Sequence, residues 1–190
     1  MATEAVVLAA GAGSRFGGGK LLTAYGKGVL LHGALAAAFA APVRRVTVVT
    51  GADGSQIAEA ALAYDPSVQI VDAHDWEEGM AASLRAGIAS LPDDTQACLV
   101  FLGDMPRVPH AVLKPLCEAV AAGAPAAAPR YAGRRGNPVA VGRPLFGALL
   151  SLRGDAGARG LLDGLGEAVV LVDAPDDGVL YDVDEPADLG

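Results

Sequence analysis

Apolar residues recur along the chain in two alternating patterns. Short apolar runs rich in β-branched residues predict strands at 6–8, 45–50, 68–72, 97–102, 126–131, 138–141, 168–173 and 179–183. Longer, partly polar stretches predict helices at 30–41, 55–64, 79–90, 109–122, 146–152 and 158–165. Because strands and helices alternate, we expect a mainly parallel sheet with helices on both faces. No linker or repeat interrupts the pattern, so residues 1–190 are predicted to form a single three-layer α/β domain.

The most unusual stretch follows the first predicted strand. After Leu8 the chain forms a loop with glycine at positions 11, 13, 17, 18 and 19, and this loop presents Arg15 and Lys20. Glycine lets backbone N–H groups turn toward a ligand, and such a nest attracts anions. The two cations add charge-assisted contacts, so we expect a polyphosphate ligand. A surface turn with solvated cations is the alternative interpretation.

Two common phosphate-binding loops do not fit this stretch. A Walker loop requires Ser or Thr after Gly-Lys, but Leu21 follows Lys20, and Ser14 stands where the first glycine belongs. A dinucleotide fingerprint requires a third glycine where Phe16 stands. The loop is therefore predicted to belong to neither class.

A carboxylate follows the most apolar run of the chain. Leu102-Gly103-Asp104 ends this predicted central strand, and the carboxyl ends of such strands face the ligand crevice in open α/β sheets. Mg²⁺ prefers oxygen ligands and often shares one or two carboxylates with substrate phosphates, so Asp104 is a candidate metal ligand. A turn aspartate that caps the next element is the alternative interpretation.

Composition and charge narrow the classes of partner. The chain is 52% hydrophobic and carries a formal net charge of −8, which argues against nucleic acid or an anionic membrane as the main partner. The apolar stretch 29–41 is shorter than a membrane span, and the N-terminus lacks the basic region of a signal peptide. Cys98 and Cys117 do not imply a disulfide framework. We therefore expect a cytoplasmic protein.

The glycine loop resembles the signature of the MobA-like nucleotidyltransferases. The matching positions are Leu8, Ala9, Ala10, Gly11, Arg15, Phe16, Gly17 and Lys20. The resemblance implies a Rossmann-like fold of the nucleotide-diphospho-sugar transferase type, with the backbone of residues 10–13, Gly13 included, around the nucleotide. Within this signature, the sequence Ala9-Ala10-Gly11 resembles the form found in the branch of the family that uses CTP in molybdenum cofactor maturation.

Two acidic segments match the same family. The Gly103-Asp104-Met-Pro segment resembles its metal-binding motif, which implies that Asp104 holds the metal and that Gly103 lies beside the nucleotide. The C-terminal stretch 181–189 resembles its Asp-x-Asp-Thr-Pro motif, with Glu185 in place of the threonine. This match implies that Asp184 is the second metal ligand, with Asp182 less clearly assigned. The start of a helix is the alternative interpretation of the acidic stretch.

A tryptophan segment provides a further match. Residues 76–84 resemble the family segment near the base and ribose, which implies that Ser83 bonds one of them. The family usually has an asparagine three residues before the aromatic residue, and this chain has Ala73. Asp72 and Asp75 are the candidate substitutes. A plain helix start with small packing residues is the alternative interpretation.

Two arginine-bearing segments resemble the acceptor side of the family. They are residues 131–138, with Arg134 and Arg135, and residues 154–159, with Arg159. Guanidinium groups bind carboxylates and phosphates well, so these arginines are candidates to hold a second anionic substrate. Solvated surface arginines are the alternative interpretation.

Together these matches predict an enzyme that transfers a nucleoside monophosphate. The catalytic residues are expected to be Arg15, Lys20 and Asp104, with Mg²⁺ on Asp104 and Asp184. By resemblance the nucleotide is CTP, the acceptor is molybdopterin or its molybdenum-loaded form, and a molybdoenzyme receives the product. The alternatives are another nucleoside triphosphate with another phosphorylated acceptor, a NAD(P)H-dependent dye oxidoreductase on the same fold, and a nucleotide sensor without catalysis.

Overall fold

The computed structural model describes residues 1–189, with Arg15 described by its backbone alone. In this part of the chain the strands are β1 Thr3–Leu8, β2 Ala24–Tyr25, β3 Gly28–Val29, β4 Val46–Thr50, β5 Gln69–Asp72, β6 Ala97–Leu102, β7 Ala126–Tyr131, β8 Arg134–Arg135, β9 Val139–Gly142 and β10 Val169–Asp173. The α-helices are α1 Leu30–Ala40, α2 Gly54–Tyr64, α3 Met80–Ala89, α4 Leu113–Ala121, α5 Phe146–Leu150 and α6 Ala158–Leu165.

One sheet runs through the molecule in the order β10-β7-β9-β6-β1-β4-β5, with β8 paired to β7. β1 is parallel to both β4 and β6, β5 is parallel to β4, and β10 is parallel to β7. β9 runs antiparallel between β6 and β7. The predicted mainly parallel α/β fold is therefore confirmed. The carboxyl ends of β1, β4, β5 and β6 meet at one edge of this sheet.

Helices cover both faces of the sheet and enclose two apolar clusters. On one face, α1, α2 and α4 pack against Ala5, Val7 and Phe101, among others. On the other face, α3, α5 and α6 pack against Val6, Val49 and Val100, among others. The central strands read as continuous apolar runs because both of their faces are buried. None of the helices among residues 1–189 is long and apolar enough to span a membrane.

The C-terminal segment differs from its prediction. Residues 179–183 were expected to form a strand, but the chain forms a 3-10 turn at Asp177–Leu180 and then continues without pairing in the sheet. Val179 and Val183 are fully buried and hold this segment by packing rather than by a strand ladder. Where a helix start was the alternative interpretation of the acidic stretch, the chain forms a 3-10 turn at Pro186–Leu189, and Gly190 lies outside the described residues.

A small antiparallel hairpin was not predicted. β2 and β3 pair directly after the glycine loop and form a separate two-stranded sheet. Each strand is only two residues long, which is too short for a hydrophobic pattern to indicate it. The hairpin matters for the site because Tyr25 lies on it.

Candidate active site

The glycine loop begins where β1 ends, at the carboxyl edge of the sheet. Left-handed φ angles of 58°, 91°, 94° and 62° occur at Gly13, Gly17, Gly18 and Gly19, respectively. Glycine adopts such angles without strain, and they curl the loop back on itself. A Cβ on Gly13 would lie 2.9 Å from Cβ of Lys20. Because Gly13 has no side chain, Lys20 can pack closely against Gly13 near the start of the loop.

A cavity of about 370 Å³, here called the loop cavity, opens against this loop. The predicted site residues that line it are Leu8, Ala9, Ala10, Gly11, Gly13, Lys20, Ser83 and Asp104. Gly103 does not line the cavity, and its N–H donates to the carbonyl oxygen of Leu8 at 2.9 Å. The side chain of Arg15 lies outside what the structure describes, so its expected role stays a prediction.

Lys20 lies between two of the predicted metal-binding carboxylates. Its Nζ donates to Oδ2 of Asp104 at 2.7 Å and lies 3.7 Å from Oδ1 of Asp184. The Lys20 side chain is 13% exposed, whereas the Asp184 side chain is 47% exposed. The Val183 N–H donates to the Asp104 carbonyl at 3.1 Å and so ties the C-terminal segment to the end of β6.

Asp182 adds a third carboxylate on the same side. Burial raises the pKa of its carboxyl group, and the charges of Asp184 and Asp104 raise it further. Three carboxylates near one ammonium leave a local excess of negative charge. This environment favours a further cation once a polyphosphate enters the cavity.

The donor set fits a divalent cation shared with a ligand. Among residues 1–189, no group of three or more His, Cys, Asp or Glu residues could hold a metal ion by itself. Asp104 and Asp184 nevertheless offer carboxylate oxygens to one cationic group, the Lys20 ammonium. Mg²⁺ takes such oxygens and commonly completes its shell with phosphates and water. The pair therefore suits a metal that binds together with a polyphosphate.

A second cavity of about 470 Å³, here called the arginine cavity, adjoins the first. Its lining includes the three predicted acceptor-side arginines, which are Arg134, Arg135 and Arg159. Arg135 pairs with Asp163 at 2.6 Å, so part of its charge is already neutralised. Apolar residues complete the wall, including Leu84, Val100, Val139 and Leu162. The cavity therefore combines a cationic rim with an apolar surface.

The two cavities share one wall. The residues that line both are Leu8, Met80, Leu102 and Asp155. Ligands in the two cavities would therefore lie next to each other, beside the carboxylates that surround Lys20. This is the arrangement that group transfer between two bound molecules requires.

The segment around Trp76 forms part of the wall of the loop cavity. Trp76, Glu77 and Gly79 line it, but the two candidate substitutes for the family asparagine do not. The Asp72 carboxylate pairs with His74 at 2.8 Å. The Asp75 carboxylate accepts a hydrogen bond from Arg85, which lowers the pKa of Asp75. Both carboxylates thus have partners outside the cavity.

Sequence reasoning missed a cluster that holds the C-terminal segment. The guanidinium of Arg107 stacks on the Tyr181 ring, with 3.9 Å between Cζ and the ring centroid, and its Nε donates to the Tyr25 hydroxyl at 2.8 Å. These three residues are far apart in sequence, and no local pattern indicates that they meet. The cluster links the hairpin, the segment after Asp104 and the segment that carries Asp184.

The fold and the site define an α/β protein whose glycine-rich loop lines a cavity beside an acidic cluster at the carboxyl edge of the sheet. The MobA-like NTP transferase domain family matches residues 5–169, and the chain belongs to this family of nucleotidyltransferases. The family resemblance predicted from the glycine loop is therefore confirmed.

Two curated relatives differ in activity. The nicotine blue oxidoreductase of Paenarthrobacter nicotinovorans is 34% identical over 188 residues, which cover 94% of this chain and 90% of that protein. The molybdenum cofactor cytidylyltransferase of Escherichia coli strain K12 is 26% identical over 143 residues, which cover 75% of this chain and 71% of that protein. The relatives thus include a transferase in molybdenum cofactor biosynthesis and an oxidoreductase.

Solved structures agree with the fold. Rv0371c from Mycobacterium tuberculosis H37Rv is 32% identical and superimposes with a TM-score of 0.85, covering 99% of this chain and 95% of that one. A structure of Rv0371c in complex with manganese gives a TM-score of 0.81 at 29% identity, covering 99% of this chain and 96% of that one. A protein of this fold is therefore known in complex with manganese.

Proposed function

We propose that this protein transfers CMP from CTP to the phosphate of molybdopterin or of its molybdenum-loaded form and releases pyrophosphate. The observation that carries the proposal is the cluster of Lys20, Asp104 and Asp184 between a glycine-rich loop cavity and an arginine-lined cavity. We further propose that residues 1–190 act as one domain in the cytoplasm, where nucleoside triphosphates are available, and that a molybdoenzyme receives the product.

The reaction is an in-line displacement at phosphorus. An oxygen of the acceptor phosphate forms a bond to the α-phosphorus of CTP, and the bond from that phosphorus to the bridging oxygen of the β-phosphate breaks. The electron pair of the broken bond leaves with pyrophosphate. The acceptor phosphate is already ionised, so no general base is needed. Catalysis then rests on positioning and on neutralising charge at the phosphate oxygens.

The residues of the loop cavity suit those two tasks. In the proposal, backbone N–H groups of residues 10–13 hold the nucleotide phosphates. Lys20 and Arg15 stabilise the triphosphate and the leaving pyrophosphate. Ser83, which is 6% exposed and lines the cavity, donates or accepts a hydrogen bond at the base or the ribose.

Asp104 and Asp184 would hold Mg²⁺ in the complex. When bound, the metal neutralises phosphate charge and orients the phosphate chain. The carboxylates contribute by keeping their oxygens on the same side of the cavity as Lys20. Without a cation, their negative charge would repel a triphosphate.

The arginine cavity supports the choice of acceptor. Its arginine groups suit a phosphate, and its apolar wall suits a flat ring system such as a pterin. The choice of CTP rests on a different observation. The Ala9-Ala10-Gly11 sequence is the version of the loop that resembles the CTP-dependent branch, and all three residues line the loop cavity.

The test is a transfer assay with α-³²P-labelled CTP, molybdopterin and Mg²⁺. We expect label in a pterin dinucleotide, one pyrophosphate released per transfer, and little transfer from GTP or ATP. Asp104→Asn should abolish most of this activity. Asp173→Asn is the matched control, because Asp173 lies on the edge strand β10 and pairs with Arg130. Equal activity of the two variants would contradict the proposed role of Asp104.

An oxidoreductase is the second candidate function. It is favoured by the 34% identity to nicotine blue oxidoreductase across 94% of this chain. The two candidates separate in one experiment, because a dye reductase oxidises NAD(P)H in the presence of a dye and releases no pyrophosphate from CTP. NAD(P)H oxidation without nucleotidyl transfer would overturn the transferase proposal.

A further inference from the structure

Arg85 on α3 joins two separate segments of the site. Its two terminal nitrogens donate to three acceptors: the carboxylates of Asp75 and Glu78, the latter at 3.0 Å, and the carbonyl oxygen of Leu152 at 2.9 Å. The Arg85 side chain is only 16% exposed. Asp75 and Glu78 belong to residues 73–79, here called the tryptophan loop. Leu152 begins residues 152–157, here called the Asp155 loop.

The two loops also pack directly against each other. A Cβ on Gly79 would lie 2.5 Å from the Asp155 carboxylate and 2.7 Å from the backbone of Gly154, so the contact requires glycine. Gly79 has a φ of 107°, which glycine adopts without strain. The Ala81 N–H donates to the Gly154 carbonyl at 3.0 Å. The loops therefore form one packed unit at the start of α3.

This unit forms the boundary between the two cavities. Trp76 and Glu77 of the tryptophan loop line the loop cavity. Asp155 and Met80 line both cavities, and Gly157 lines the arginine cavity. A shift of one loop relative to the other would therefore change both binding sites at once.

Few backbone bonds tie the tryptophan loop to the sheet. The Ala73 N–H donates to the Thr50 carbonyl at 2.8 Å. The bonds from the N–H groups of Trp76, Glu78 and Gly79 run to carbonyls within the same loop. Trp76 also packs closely on Gly51, where a Cβ would lie 2.7 Å from the tryptophan side chain. Ala73 is buried in the core, and the exposed His74 side chain pairs with Asp72 of β5 at 2.8 Å. Arg85 is the anchor that ties this loop to the Asp155 loop through its side chain.

We propose that Arg85 is a positioning residue that fixes the tryptophan loop against the Asp155 loop and thereby sets the shared wall of the two cavities. Arg85 lines neither cavity in the described residues, so it acts through the residues it holds. Its planar guanidinium reaches all three acceptors at once, which a lysine ammonium on a single flexible stem does less well. The expected effect of Arg85 on substrate binding rests on the proposed function. The expected effect of Arg85 on the position of the two loops does not.

The experiment uses Trp76, which is the only tryptophan of the chain and lies on the loop in question. Fluorescence emission and acrylamide quenching are measured for wild type, Arg85→Met, Arg85→Lys and Arg143→Met. Arg143 is the matched control, because its guanidinium holds another loop through the carbonyls of Asp93 and Thr95, at the amino end of β6. Affinity for CTP with Mg²⁺ is measured by calorimetry on the same samples.

We expect Arg85→Met to shift the Trp76 emission to the red and to increase quenching, while Arg143→Met leaves both unchanged. Arg85→Lys should recover part of the wild-type signal. CTP should bind roughly tenfold more weakly to Arg85→Met, since hydrogen bonds to charged groups contribute on the order of that factor or more. Circular dichroism checks that each variant is folded.

Each outcome has a separate meaning. Unchanged emission and quenching in a folded Arg85→Met variant would overturn the positioning role. A changed Trp76 signal with unchanged CTP affinity would overturn the claim that the shared wall is set by Arg85. If wild type binds no CTP, the proposed function fails, while the fluorescence result still decides whether Arg85 holds the loops.

Discussion

Replacing Lys20 with methionine tests the arrangement of charge at the site. The substitution keeps the length of the side chain and removes the ammonium that lies between Asp104 and Asp184. The bond to Asp104, at 2.7 Å with both side chains mostly buried, should contribute most of the effect. The contact with Asp184 is longer, at 3.7 Å, and Asp184 is 47% exposed, so it should contribute little.

The magnitude follows from this geometry. A hydrogen bond between charged groups contributes about 1.5–3 kcal/mol to stability. Each kcal/mol moves Tm by about 2–4 °C in a protein of this size, so Lys20→Met should lower Tm by roughly 3–12 °C. Loss of the ammonium also leaves the carboxylates facing one another. Mn²⁺ or Mg²⁺ should therefore restore part of the lost Tm, and should raise the Tm of the variant more than that of wild type.

The assay is thermal unfolding with and without divalent metal, followed by the transfer assay. Lys27→Met is the control, because Lys27 is exposed at the turn of the β2–β3 hairpin. Turnover of Lys20→Met should fall by about 10²–10³-fold, as when one group that stabilises transition-state charge is removed. If Lys20→Met and Lys27→Met show the same Tm, metal response and turnover, the reasoning about the site is refuted.

Three further predictions address other contacts. The hydrogen bond from Arg85 lowers the pKa of Asp75. This hydrogen bond therefore stabilises the folded protein at pH values above the ordinary pKa of aspartate, and the stabilisation is lost as the pH falls below about 4. Acrylamide quenching of Trp76 should rise over that range in wild type and change less in Asp75→Asn. Gly136→Ala should cost about 1–3 kcal/mol, since its Cβ would lie 2.1 Å from the Val179 carbonyl oxygen, and chemical denaturation measures this cost. Arg107→Met should weaken CTP binding in the presence of Mg²⁺ without altering Trp76 quenching, and unchanged affinity would show that the aromatic cluster does not position the acidic segment.

Much of the fold could be predicted because local pattern and tertiary environment agree. The run at Ala97–Leu102 is a central strand with the predicted bounds, since a strand buried on both faces reads as a continuous apolar run. Ala158–Leu165 forms a helix with the predicted bounds as well. In both cases one short stretch carries enough information to specify its own structure.

The C-terminal segment shows where such reasoning fails. Val179 and Val183 suggested a strand, yet they are buried beside the sheet without joining it. The backbone bonds of this segment go to residues outside the strands instead: the Val179 carbonyl accepts from the Asn137 N–H, and the Val183 N–H donates to the Asp104 carbonyl. This information lies in the topology rather than in the segment itself.

The site residues likewise fall into those that a local sequence signal indicates and those that it does not. A glycine-rich turn and motif spacing are local signals, and they singled out the loop, Asp104 and Asp184, which the structure brings together around Lys20; their roles stay predictions. Arg85 could not be predicted, because its partners are seven, ten and 67 residues away, and an arginine on a helix usually faces solvent. The available signal was that Arg85 is a single charged residue on α3, whose other residues are mostly small or apolar.

Titration calorimetry of the wild-type protein with CTP, GTP, ATP and NADPH, each with and without Mg²⁺, distinguishes a nucleotidyltransferase from an oxidoreductase in one set of measurements. We expect that CTP binds, that Mg²⁺ strengthens this binding, and that Asp104→Asn removes the effect of Mg²⁺. The other nucleotides should bind much more weakly. Binding of NADPH without binding of any triphosphate would contradict the nucleotidyltransferase account and favour the oxidoreductase.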